Sequence, residues 1–462
     1  MAMSLHHTLS RGPLRAGAAA VSITPPLGVE LAGSFTKRRA THIHDELYAH
    51  ALVLDNGLVR LALVSLDLIC IPGSLVAQAR QLIETRTGIP GGHVMIGCTH
   101  THSAPATTGL LGADPDPNYV AELPERIAAA VTYAAAQTRP ARLGWATGHE
   151  PRLSFNRRYH MRDGTVRMNP GRGNPDIVRP AGPIDPDVGV LYVEALDRTP
   201  IAVVVSFALH YVGVDSATEV SADYFGYFSR RMQELHGAAL QTIFFNGCSG
   251  DINAVDVANP HQLAGHREAA RVAAILADDI TALLSGMSLV EEVVLGAVQR
   301  RPVLPRRAQT PQDLALARRI LANPPEHPRT GGIPAEGPFS WVVGQPIPDT
   351  QLRQYAIEVL HLAAMPEHIQ TEVQALRVGE AAIVALPGEI FVELGLAIKA
   401  QSPFQTTLLA ELANDYIGYV PTARAFREGS YETWAARSAL PAPGAGELLV
   451  EHATAALAAL QE

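Results

Sequence analysis

Five stretches of the chain stay apolar for several residues and then stop abruptly at polar ones. Leu61-Ala62-Leu63-Val64-Ser65-Leu66 runs into Asp67, and His93-Val94-Met95-Ile96-Gly97 runs into Thr99 and His100. Residues 201–207 run into His210, 242–245 into Gly247 and Asp251, and 381–386 into Pro387, Gly388 and Glu389. A strand with one wet face would alternate, so runs this short and continuous predict strands covered on both faces. Between them, residues 72–85, 119–137, 224–236 and 263–284 combine helical spacing with good helix formers. Asp55-Asn56-Gly57 and Val378-Gly379-Glu380 each predict the tight turn of a hairpin. The expected class is therefore α/β: a large mixed β-sheet covered by helices on both faces.

Two stretches break the pattern. Residues 152–186 are rich in Pro, Gly, Asn and Arg with little periodicity, which suits a functional loop or a disordered segment. Residues 302–347 are proline-rich with one helix expected over 311–321, and read as a surface insertion. No internal repeat, low-complexity tract or clear linker divides the chain, so a single catalytic domain over 1–462 with long loop excursions is expected.

Composition narrows the function classes. A formal net charge of −9 argues against nucleic acid or an anionic membrane surface as the main partner. The pairs Arg300-Arg301 and Arg306-Arg307, flanked by Pro302 and Pro305, read as a solvated loop or strand end. Three cysteines make no disulfide framework, and no CxxC pair offers a thiolate metal site. The opening 1–15 lacks the apolar core of a signal peptide, and no apolar run reaches the roughly 18 residues of a membrane span. A cytoplasmic protein without integral membrane contact, acting on a small-molecule substrate, is the expectation. No GxGxxG or Walker A pattern points to a nucleotide.

In open α/β sheets, sites gather beyond the carboxyl ends of the strands. The five strand ends carry Asp67, His100 with His102, His210, Asp251 with Asn253, and Glu389. Imidazoles with a carboxylate are the donor set of a catalytic zinc that keeps one position for water. His100 and His102 are two apart, so both rings face one side of an extended segment. Spacing leaves open whether both bind metal or one contacts substrate. Plainer readings exist for several of these groups. Asp67 suits a cap for the following helix and Glu389 a first-turn acid, and Cys98 and Cys248 suit small buried residues. Ser249 in Gly247-Cys248-Ser249-Gly250 lacks the GxSxG spacing of a nucleophile elbow.

Many short motifs in one order resemble the neutral (non-lysosomal) ceramidase family, in its N-terminal catalytic domain. They include Ile23-Thr24-Pro25-Pro26, Asp45-Glu46-Leu47-Tyr48-Ala49, Ser65-Leu66-Asp67 and Thr99-His100-Thr101-His102-Ser103. Asn156-Arg157-Arg158, Asn169-Pro170 and Gly182-Pro183-Ile184-Asp185-Pro186 follow. Next come His210, Ser221-Ala222-Asp223-Tyr224, Gly250-Asp251, Pro387-Gly388-Glu389 and Gly418-Tyr419. The resemblance implies one Zn2+ held by two histidines, a glutamate and a tyrosine: His100, His210, Glu389 and Tyr419, with Tyr416 the alternative tyrosine. It also implies that His102 and Arg157 contact the scissile amide, and a guanidinium suits an oxyanion.

The sequence departs from that family at three points. Ceramidases carry a serine in the pattern Gly-Asp-Val-Ser, where this chain reads Gly250-Asp251-Ile252-Asn253. Neither an immunoglobulin-like domain after the helix near 448–460 nor a secretion signal is expected. The resulting expectation is a zinc-dependent hydrolase of an amide, or a related C–N or ester bond, acting through a metal-activated water on a substrate other than ceramide. Asn253 and Asp251 are expected to position substrate or site loops. The alternatives are a ceramidase-like N-acyl amidase, a metal-dependent lyase or isomerase, and a non-catalytic metal-stabilised binding protein.

Overall fold

The five apolar runs fold as the strands Arg60–Leu66, Val94–Cys98, Pro200–Phe207, Gln241–Asn246 and Ala381–Ala385. They belong to a computed structural model that describes residues 8–322 and 339–461. The four predicted helices are present as Gly73–Thr87, Pro117–Ala136, Asp223–His236 and Gly265–Ser285. Both predicted hairpins form: Tyr48–Asp55 returns as Arg60–Leu66, and Val373–Val378 returns as Ala381–Ala385.

The class is mixed α/β, with the apolar strands shared between two sheets. Sheet I has eight strands, in the spatial order Gln241–Asn246, Pro200–Phe207, Asp187–Ala195, Arg139–His149, Arg15–Ser22, Tyr48–Asp55, Arg60–Leu66 and Val94–Cys98. Its outermost pairs are parallel and its inner pairs antiparallel. Sheet II has five strands: Thr8–Pro13, Glu292–Arg300, Val373–Val378, Ala381–Ala385 and Thr406–Ala410.

The two sheets pack face to face, which explains why their strands are apolar on both sides. In Ala381–Ala385, the residues Ala381, Ile383 and Ala385 join Leu54, Leu63, Leu191 and Val204 of sheet I in the inter-sheet core. Ala382 and Val384 point the other way, under Leu394 and Ile398 of the helix Val392–Gln401 and Leu449 and Ala453 of the helix Ala445–Ala459. Sheet I is covered on its outer face by two helix pairs, Gly73–Thr87 with Pro117–Ala136 and Asp223–His236 with Gly265–Ser285. Each sheet thus has helices on one face and the other sheet on its second.

Sheet I is curled until its two edges approach. The Ser65 hydroxyl donates to the Phe244 carbonyl at 2.6 Å although their strands stand far apart in the strand order. Residues 411–414, which leave sheet II after Thr406–Ala410, bridge the gap: Glu411 N–H donates to Asn246 O, Cys98 N–H to Leu412 O and Asn414 N–H to Ile96 O. The ends of the strands Val94–Cys98, Gln241–Asn246, Ala381–Ala385 and Thr406–Ala410 are thereby gathered in one place.

Residues 152–186 are ordered: Arg158–Met161 is the middle strand of a small three-stranded sheet with Val166–Met168 and Ile177–Pro180. Within 302–347, the predicted helix is present as Pro311–Ala322, and residues 323–338 lie outside the described ones. Phe339 and Ile347 are buried with Ala317, Tyr355 and Trp434. Arg307 departs from the solvated reading of its basic pair. It is buried, donates to the Thr433 carbonyl and lies 4.6 Å from the Phe426 ring centre. The three cysteines are free and buried. Among the described residues no helix is long and apolar enough to cross a membrane.

Candidate metal centre

The strand Val94–Cys98 ends in Thr99, and the chain then turns sharply through His100, whose φ of 66° is left-handed. A side chain rarely adopts that conformation, and such residues concentrate at functional sites where the surroundings enforce them. Here the enforcing contacts include the Thr99 N–H to Leu66 O and the His100 N–H to Leu68 O, both at 2.9 Å. The turn aims the His100 ring inward, with the residue buried.

Three imidazoles converge. His100 Nε2 lies 2.9 Å from His210 Nε2 and 3.1 Å from His102 Nε2. The opposite nitrogen of each ring faces a backbone carbonyl: His100 Nδ1 to Ile69 O at 2.7 Å, His210 Nδ1 to Ser249 O at 3.1 Å and His102 Nδ1 to Gly33 O at 3.2 Å. A carbonyl oxygen only accepts, so each Nδ1 carries the hydrogen and each neutral ring presents an Nε2 lone pair. Glu389 Oε2 stands 3.6 Å from His100 Nε2 and 3.7 Å from His210 Nε2. It is buried and accepts no hydrogen bond.

Lone pairs brought this close repel unless a cation lies between them or a ring takes up a proton. Burial opposes the second solution. It holds His210 and His102 well below the usual imidazole range, and the neighbouring rings reinforce it. Burial also works against ionisation of Glu389, but His100, the Tyr419 hydroxyl and Arg157 together keep its carboxyl below the ordinary range. The donor set of imidazole nitrogens and a buried, unpartnered carboxylate oxygen therefore fits a divalent metal.

The two candidate tyrosines reach the carboxylate differently. The Tyr416 hydroxyl donates to Glu389 Oε1 at 2.9 Å, the oxygen turned away from the imidazoles. Tyr419 pairs with Glu389 in register on the adjoining short strand. The Arg157 guanidinium carbon lies 5.3 Å from the Tyr419 ring centre. Burial raises both phenols well above their usual pKa, and Glu389 adds to this, while Arg157 works the other way on Tyr419.

Arg157 is 5% exposed, and its Nε donates to Glu432 Oε1 at 2.8 Å. Its Nη2 is buried with no partner. Burial disfavours its charge, but Tyr419 and Glu432 outweigh that and hold the guanidinium protonated.

No protein-family model and no curated protein matches the chain. Among solved structures it is similar to the neutral ceramidase from Pseudomonas aeruginosa, with a TM-score of 0.72 and 19% identity over 97% of this chain and 74% of that one. A ceramidase complexed with C2 matches equally, at 0.72 and 18% identity over 97% of this chain and 75% of that one. The chain has the neutral ceramidase fold.

Asp251 and Asn253 are both engaged with neighbouring segments. Asp251 accepts from Val392 N–H and from Asn156 Nδ2, each at 2.8 Å, and its carbonyl accepts from Arg157 N–H. Asn253 Nδ2 donates to Asn169 Oδ1 at 2.7 Å and its Oδ1 accepts from Val255 N–H. Asp67 lies elsewhere, 3.7 Å from His50 Nε2 on a separate cavity of about 480 Å³. Ser249 Oγ is bonded to Glu411, and burial pushes the Cys98 and Cys248 thiols well up, so none of the three is a primed nucleophile.

Sequence reasoning missed Glu432, which is fully buried and clamps Arg157 and Arg158 together. It also missed Tyr211, whose ring stacks on His102 at 3.7 Å. Neither carries a local signal, although Tyr211 adjoins His210 and thus had a claim to attention.

Proposed function

We propose that this chain is a metal-dependent hydrolase of amide, or related C–N or ester, bonds, with one zinc ion held by His100, His210, Glu389 and Tyr419. The observation that carries the reading is the set of aligned Nε2 lone pairs facing the orphaned Glu389 Oε2. A zinc ion held there supplies a Lewis acid toward a carbonyl and toward water.

The protein's own groups then divide the remaining work. The free Nη2 of Arg157 offers its hydrogens to the carbonyl oxygen of the substrate, where negative charge grows in the transition state. His102, held by Gly33 O and by the Tyr211 stack, presents a neutral Nε2 that accepts a proton from the attacking water and returns it to the leaving group. Asp251 is a positioning residue, because it ties the Arg157 segment to the start of the helix Val392–Gln401. Asn253 stands where the ceramidase pattern has serine. Its amide is a poor nucleophile and both its polar ends are already engaged, which argues for a substrate other than ceramide.

A second reading of one residue rests on the convergence itself. His100, His102 and His210 offer nitrogens that lie within 4.8 Å of one another, so His102 suits a third imidazole ligand as well as a proton carrier. His102→Ala separates the two: a proton carrier leaves zinc affinity intact while turnover collapses, and a ligand loses both.

The main test joins metal analysis to a screen of amides, esters and lactones. Bound zinc, loss of turnover on chelation, restoration by zinc, and loss of both binding and turnover in His210→Ala are expected. Activity that survives complete metal removal sinks the proposal. Turnover of short-chain N-acyl sphingosines by the metal-loaded protein would return the ceramidase reading.

A further inference from the structure

A second convergence of imidazole and carboxylate lies on segments that contribute no group to the first. His42 and Ile43 form a short strand parallel to Glu219 and Val220, with His42 opposite Glu219. Glu219 Oε2 lies 3.3 Å from His42 Nε2, and its Oε1 lies 3.0 Å from Nε2 of His266, in the first turn of the helix Gly265–Ser285. His44 stacks on His266 with ring centres 3.8 Å apart and planes 17° from parallel. The ligand atoms of His44, Glu219 and His266 all lie within 4.8 Å of one another.

Three features of this cluster point to a cation. Glu219 is only 4% exposed, and its ion-pair partners among the described residues are the imidazoles of His42 and His266. The neighbouring Arg230 is engaged elsewhere, on Asp45 at 2.7 Å. Among the described residues no Lys or Arg pairs with this buried carboxylate, so a bound cation would supply its counter-charge. The face-to-face stack of His44 and His266 brings two ring nitrogens able to ligate into reach of the same Glu219 oxygens. His266 Nδ1, finally, is buried with no hydrogen-bond partner.

We propose that His44, Glu219 and His266 form a second divalent-cation site, with His42 in reach as a further imidazole. Imidazole nitrogens with one carboxylate oxygen select a zinc-like ion over calcium or magnesium, which prefer all-oxygen shells. Such an ion cross-links residues 42–44, the strand Glu219–Val220 and the helix Gly265–Ser285. That strand continues into Ser221, whose carbonyl accepts from Thr101 Oγ1 at 2.7 Å and whose N–H donates to Ser103 O at 3.0 Å. The second ion therefore steadies the loop that carries His100 and His102, without touching it.

The test titrates the metal-stripped full chain with Zn2+ by calorimetry, and with Co2+ by visible absorption. One zinc equivalent is expected to survive His210→Ala and to disappear in both His44→Ala and Glu219→Gln. The loss of affinity should exceed the roughly 10–100-fold typical of removing an outer-shell partner. His44 is 36% exposed at its side chain, so its alanine variant reports on the site even where Glu219→Gln unfolds, as circular dichroism would reveal. In the His210→Ala background, a zinc equivalent that adding His44→Ala leaves unaffected overturns the proposal, and so does the absence of any equivalent in His210→Ala alone. Because His210 belongs to the first centre alone, failure of that centre's assignment leaves this measurement intact.

Discussion

In the proposed reaction, one side chain, Arg157, would serve several partners at once. Its Nε is spent on Glu432, its guanidinium lies near the Tyr419 ring, and its Nη2 is buried with no partner. Arg157→Lys keeps the charge but loses the fork that serves these partners together. We expect kcat to fall by roughly 10²–10³, the range for removing one oxyanion donor, with zinc affinity little changed. An unchanged kcat in steady-state assays excludes Arg157 from the reaction. The tyrosines are separable in the same way. Tyr419→Phe is expected to weaken zinc strongly, whereas Tyr416→Phe removes only a hydrogen bond to the far oxygen of Glu389 and weakens it mildly. Zinc titrations in the reverse order would make Tyr416 the ligand. At this scale the sequence was legible wherever a residue ended an apolar run, as His100, His210 and Glu389 do. Glu432 was illegible because a buried ion pair leaves no periodic trace.

At the scale of elements, the loops after the strands are held by backbone that approaches too closely for side chains. Gly418 has φ +79°, and a Cβ there would fall 2.1 Å from the Ser438 carbonyl carbon. Its carbonyl accepts the Glu389 N–H at 3.0 Å, and Tyr419 follows it directly. Gly418→Ala is expected to cost about 1–3 kcal/mol in backbone strain and a similar amount in overpacking, and to weaken zinc. Gly164 has nearly the same φ, +82°, in open space, so Gly164→Ala incurs the strain without the clash. Equal losses in urea unfolding of the two variants would contradict the packing argument. Strands, the main helices and both hairpins were readable in advance because period and turn chemistry are local. The segment 152–186 was not, since its order comes from contacts such as Arg158 with Glu432 that join residues far apart in the chain.

For the molecule as a whole, the decisive feature is the joint between the curled edges of sheet I and the end of sheet II. Asn414 lies at that joint, with φ 67°. Its Oδ1 accepts from Ile96 N–H at 2.9 Å, and its Nδ2 donates to Glu372 and Gln374 at 3.0 and 2.8 Å. Asn414→Ala leaves the buried Ile96 donor without that acceptor, at a cost of about 1–3 kcal/mol. Because Ile96 leads into His100 and residue 414 leads into Tyr419, weaker zinc binding should accompany the lower urea midpoint. Normal stability and normal zinc binding together would show that the joint is not what aligns the centre.

The sequence by itself determined the α/β class, the apolar strands, the main helices and the polar residues that end each strand. These follow from period, turn chemistry and the cost of burying polar groups, all of which act over a few residues. Only the tertiary structure decided that there are two sheets, since an apolar face does not specify whether a helix or another sheet will cover it. Only the curl of sheet I brings His100 and His210 from strands far apart in the sheet order to 2.9 Å. And only the backbone carbonyls of Ile69, Ser249 and Gly33 orient the three rings. Every residue presents a carbonyl, so no sequence pattern distinguishes the ones that do so.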